Sequence, residues 1–200
     1  MSSSLLSNRK NASIRAQRWL VGVSTPINKM IALQQLGLLL CQHISEGSCL
    51  QIDAGSEPVQ LPSPAVFVTM SRDKILALTR SISLSNPSSW NARGMYRHHW
   101  TQLFGGVALS YAQEGDLPIV AALVRAASYL GLTGSWLIDA ETYMLDQQQP
   151  DGHFGLLGAE LALLKNDVSA SEAMLSLTVE VLWALAETGA LAKSLDLMHK

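Results

Sequence analysis

The sequence predicts an all-α protein built from antiparallel helical hairpins. Apolar residues recur at three- and four-residue spacing through most of the chain. Glycine, proline and aspartate punctuate those stripes at helix-length intervals, which leaves short connections and so antiparallel neighbours. Two hundred residues are enough for one such domain with a real core.

Residues 1–12 are polar and read as a flexible N-terminal tail, with a single helical domain over 13–200. Ile14 to Val21 reads as a short helix with Trp19 and Leu20 turned inward. Thr25-Pro26 has the form of an N-cap followed by proline at the first helical position. The helix it opens runs to about His43, with Met30, Ile31, Leu38 and Cys41 on one face. Between 46 and 70 the prolines and glycines mark a loop, within which Ala65–Met70 reads as one strand or as an extended segment over the helices.

From Ser71 the pattern is helical again, with Ile75, Leu78 and Ile82 in register until Asn86-Pro87. Trp100, Leu103, Phe104, Val107, Ala108 and Tyr111 fall at i, i+3, i+4, i+7, i+8 and i+11, the fullest stripe in the chain. Gly115-Asp116 is a stop followed by a cap, and Ile119 to Leu130 repeats the stripe. Ser135 opens a helix to about Gln148, closed by the turn Gln149-Pro150-Asp151-Gly152. A short helix near 156–164 follows. Ser169-x-x-Glu172 then has the form of a capping box for a last helix that Gly189 closes.

Composition narrows the function classes. Charged residues are only 15% of the chain, against roughly 25% in ordinary domains, so part of the apolar surface is expected to meet a second subunit, a partner or an apolar small molecule. A net charge of −2 offers no field for nucleic acid. The distribution is uneven: Arg9, Lys10, Arg15, Arg18 and Lys29 precede the first acid, Glu46. A Ser-rich, acid-free start of this kind is also how an organelle transit peptide reads. Because it runs on into core helix, the expectation is the first part of a cytoplasmic protein. No unbroken apolar run of membrane-spanning length stands out, since Gln34, Gln35 and Gly37 interrupt the densest one. Cys41 and Cys49 are expected as reduced thiols, and with His43 they lack a fourth zinc ligand.

The most informative stretch is Tyr143-Met-Leu-Asp-Gln-Gln-Gln-Pro-Asp-Gly-His-Phe-Gly155. Gln148 is followed after three residues by Gly152, any residue, and the aromatic Phe154, with Tyr143-Met144 upstream. This resembles the repeat of α/α-toroid proteins such as terpene cyclases and protein prenyltransferase β subunits, although Phe154 stands where tryptophan is more usual. The resemblance implies helical hairpins and a structural role for Gln148, Asp151, Gly152 and Phe154: the glutamine ties a helix end to neighbouring backbone and the aromatic packs across the turn. It covers a short part of the chain. The Asp-x-Asp-Asp run of the protonating cyclases is absent, as is the Asp/Cys/His zinc set of the prenyltransferases. The length suits an open half of a toroid, completed by a dimer partner or another protein.

Candidate chemistry is sparse. Arg93, Arg97, His99 and Trp100 form the densest functional cluster and read as a ligand or anion contact at a helix start, or as a helix end facing water. His98 and His99 are adjacent and point about 100° apart on a helix, which does not suit one metal. Asp139 and Asp146 share a face seven residues apart, fit for Mg²⁺ or for solvent. His153 beside Asp151 has the composition of an oriented general base, although sequence neighbours seldom hydrogen-bond productively. No metal and no cofactor are expected, and no phosphate loop, nucleophile elbow or dinucleotide fingerprint occurs.

Three functional classes follow. The first is a non-catalytic interaction or accessory protein, suited to a biosynthetic pathway, that holds a protein or apolar ligand in a groove between helices. The second is a toroid-type enzyme acting on an apolar, isoprenoid-like substrate. The third is a regulatory module with a basic N-terminal arm.

Overall fold

The computed structural model describes residues 2–23, 25, 28–48, 61–83, 94–155 and 167–198. Among them the chain is all-α: eight helices and no strand. We number them α1 (Ser2–Gly22), α2 (Asn28–Glu46), α3 (Pro64–Phe67), α4 (Arg72–Ser83), α5 (Gly94–Gln113), α6 (Leu117–Tyr129), α7 (Ser135–Asp146) and α8 (Asp167–Met198). They divide into two compact units, 1–50 with 142–200 and 51–141.

In the first unit α2 packs on both α1 and α8, and α1 also meets α8. Gly37 lets α2 approach closely: a methyl group there would stand 2.9 Å from Leu20 Cδ1 and 3.2 Å from Val179 Cγ2. Leu20, Met30, Leu40, Leu175 and Leu182 fill the space, each stabilising by about 1.5–3 kcal/mol when fully buried. Gln34 ties the junction, its Nε2 donating to the carbonyls of Leu20 and Val23 at the end of α1. The loose tail expected over residues 1–12 is instead the start of α1, with Arg9 and Ala12 buried. An acid-free polar sequence is a poor isolated helix, and packing rather than propensity holds it.

Three features of this unit's last helix differ from expectation. It starts before Ser169, so the Ser169–Glu172 pair lies inside it, and it runs through Gly189 to Met198. Gly189 is absent from the positive-φ glycines. It is therefore no helix cap, and a glycine within a long packed helix costs only about 1 kcal/mol. Over Ser169–Gly189 the helix is long and apolar enough, by length and composition alone, to cross a membrane. Leu175, Val179, Val181, Leu182 and Leu185 are buried against the unit's own core.

The second unit is organised around α6, which packs on α4 and α5 and buries every side chain from Ile119 to Ser128. Its start is written in the sequence. Gly115 has φ +79, a conformation open to glycine at little cost. Asp116 caps the next turn by accepting from Ile119 N and receives a two-pronged ion pair from Arg72 at 2.5 and 3.0 Å. Asp116 beside it raises the Arg72 pKa. Buried Arg125 donates to Ser83 Oγ at 3.1 Å, which in turn donates to Thr79 O.

The Ala65–Met70 segment is not a strand. Ser63 and Pro64 form an N-cap and first-turn proline, and a single helical turn follows. Phe67 fixes it, stacking on Phe104 at 5.1 Å with Trp100 edge-on at 5.3 Å. The local β-branched content yields to this aromatic anchor. The Pro26 helix start, the Asn86-Pro87 stop, the 156–164 helix and Cys49 lie outside the described residues.

Candidate functional site

The turn after α7 is the most constrained segment of the first unit. Gln148 and Phe154 form an isolated antiparallel bridge, and Gln149 N donates to His153 O at 2.8 Å. Gln148 Nε2 donates to Gly152 O and to Ala12 O on α1, both at 2.9 Å. Phe154 is wholly buried and its N–H donates to Thr178 Oγ1 on α8 at 3.1 Å. The turn is thus stapled to α1 and α8 together. Gly152, at φ +114, makes the close approach possible, because a Cβ there would overlap the Arg15 carbonyl oxygen and lie 2.7 Å from its carbon. Gln148, Gly152 and Phe154 occupy one structural unit. Asp151 belongs to it through its neighbour.

That neighbour is His153. Its Nδ1 lies 2.7 Å from Asp151 Oδ1, so the hydrogen bond that sequence adjacency argues against is made. The carboxylate also accepts from the His153 backbone N–H, closing an Asx turn that brings the two side chains together. The imidazole is buried and packs on Trp19 with ring centroids 5.5 Å apart. Its Nε2 is sealed from solvent and has no hydrogen-bond partner.

Trp19 carries the turn's geometry to a groove. Arg18, Trp19, Gly22 and Val23 at the end of α1 face Ser171 and Met174 on α8, enclosing about 350 Å³. Trp19, Val23 and Met174 make its walls apolar, while Arg18 and Ser171 supply the polar groups. Beyond Gly22 Cα the space is open: a Cβ there would meet nothing within 4 Å. The Lys29–Glu172 ion pair, 2.5 Å long, joins α2 to the same part of α8.

The other sequence candidates lie apart from this groove. Arg97, His98 and His99 are exposed on α5, and Arg97 donates to Gly131 O at the end of α6. Trp100 faces the core, edge-on to Phe67 and Phe104. Asp139 and Asp146 are exposed on α7. Arg93 lies outside the described residues. His43 shares a 2.7 Å hydrogen bond with Ser48, and Cys41 is a buried thiol whose pKa burial pushes up to about 12. Among the described residues no three histidine, cysteine or acidic side chains gather to hold a metal ion. The groove itself gives no signal in the sequence, because its two walls are some 150 positions apart and neither carries a motif. Comparison of the chain with protein-family models, curated proteins and solved structures finds no match.

Proposed function

We propose that the chain is a helical binding module, an accessory protein that holds a small apolar ligand in the groove between α1 and α8. The observation that carries this reading is the apolar wall of Trp19, Val23 and Met174 around about 350 Å³, a volume at the lower end of small-molecule sites. The low charge of the chain supports it, as does the stapled turn that holds Trp19 in place. At about 30 Å³ per water-sized group the groove suits a ligand of about a dozen heavy atoms. At roughly 0.5 kcal/mol per atom such a ligand binds with a Kd on the order of tens of micromolar.

The test uses a neutral, environment-sensitive apolar dye titrated into the full chain. We expect saturable binding at one site, lost by at least about tenfold in Gly22→Phe, which fills the groove from a position with open space around it. Equal binding by Gly22→Phe and by Met174→Glu would remove the groove from consideration. An enzymatic reading rests on the Asp151–His153 pair, whose hydrogen bond has the geometry of an oriented base. The sealed Nε2 favours the binding module, because a substrate would reach that nitrogen only if the turn opened.

A further inference from the structure

The outward side of α1 carries a pattern that the groove does not use. Ala12, Ser13, Ala16 and Leu20 face inward and are buried. On the opposite side Leu6, Lys10, Ile14 and Val21 follow one another at i, i+4, i+8 and i+15, a single stripe along about 22 Å of helix. The three aliphatic side chains are 45%, 43% and 70% exposed, and Arg15 and Arg18 are exposed beside them. No acid occurs in the chain before Glu46. Of the acids on elements packed near α1, Glu172 is engaged by Lys29 and Asp151 by His153.

We propose that this face is a peripheral docking surface for an anionic lipid bilayer. Charge complementarity selects the occupant: three cations flank the aliphatic stripe, as on helices that lie in the membrane interface. A second copy is disfavoured, since a two-fold contact through this face would set Lys10, Arg15 and Arg18 against themselves. Shape separates a bilayer from an acidic protein: the face is the convex side of one helix, which meets a plane more fully than it fills a groove. The helix is already formed and anchored by its inner side, so docking adds no helicity, unlike a basic arm that folds on its target. The inference is independent of the ligand assigned to the groove.

The full chain is tested by co-sedimentation with vesicles of phosphatidylcholine alone and of phosphatidylcholine mixed with phosphatidylserine. We expect binding to the anionic vesicles only, weakening steeply with salt, with an unchanged far-ultraviolet circular dichroism spectrum. Lys10→Glu should weaken partition by about tenfold, at about fivefold for each unit of charge or more. The double change Ile14→Ser/Val21→Ser should weaken it by a similar factor, with helicity and dye binding in the groove retained. Failure to sediment, equal binding to both vesicles, or insensitivity to these changes would overturn the proposal. Competition by soluble polyglutamate as strong as by anionic vesicles would also overturn it, in favour of an acidic protein partner.

Discussion

Replacing Gly152 by alanine should be among the most damaging single-methyl additions in the first unit. The residue sits at φ +114, where any other amino acid is strained by about 1–3 kcal/mol. The added methyl would also overlap the Arg15 carbonyl, a backbone group that cannot turn aside. Relief requires the turn to move off α1, which strains or breaks the two Gln148 hydrogen bonds at about 1 kcal/mol each. The sum is about 3–5 kcal/mol. Two companion variants separate the contributions. Gly115→Ala has positive φ but open space, so it should cost only about 1–2 kcal/mol. Gly22→Ala has neither constraint and should be neutral or stabilising by about 0.5–1 kcal/mol. Urea unfolding followed by circular dichroism ranks the three. At roughly 2–4 °C per kcal/mol, Gly152→Ala should lower Tm by about 6–20 °C. If the two units unfold separately, Gly152→Ala should move one transition and Gly115→Ala the other. Equal effects of the two would refute the claim that the turn is clamped against α1.

Other consequences follow from the same contacts. Thr178→Val removes the acceptor of the buried Phe154 N–H and should cost about 1–3 kcal/mol in denaturant unfolding, whereas Thr178→Ser should cost much less. Asp116→Ala loses both the α6 cap and the partner of Arg72, so it should destabilise by about 1–2 kcal/mol. Arg72→Ala loses only a half-exposed ion pair and should cost under about 1 kcal/mol. For Cys41 the folded pKa of about 12 lies above the model value of 9.0, so the unfolded chain releases the thiol proton first. Its contribution to stability is therefore full below pH 9 and falls as pH rises toward 12, by about 1.4 kcal/mol per pH unit. Peptide-level alkylation at pH 8 should leave Cys41 unmodified in the native chain and label it in urea.

Much of the helical skeleton is legible because its signals are local. Asp116 stands where a cap must stand, and the helix it opens is apolar on all sides, as a central helix should be. The Gln148–Gly152–Phe154 spacing announces a tied helix end, and the tie is made through backbone carbonyls that any sequence provides. The errors arise where packing overrides local preference. Residues 2–12 look unstructured until Arg9 and Ala12 are seen buried, and Ala65–Met70 looks extended until Phe67 finds Phe104. Gly189 looks like a stop, yet α8 continues past it. The site was the least legible part. Trp19 is readable as a core residue and Arg18 as a charge, but their role depends on Ser171 and Met174 arriving from the far end of the chain.

The measurement that tests the binding account most directly is methyl nuclear magnetic resonance of the chain labelled at its seven methionines, titrated with a neutral apolar ligand of about a dozen heavy atoms. The account predicts that the Met174 methyl shifts progressively and saturates, that Met30 and Met144 in the core stay in place, and that Gly22→Phe abolishes the change. A Met174 signal that does not move, or moves equally in Gly22→Phe, would contradict it.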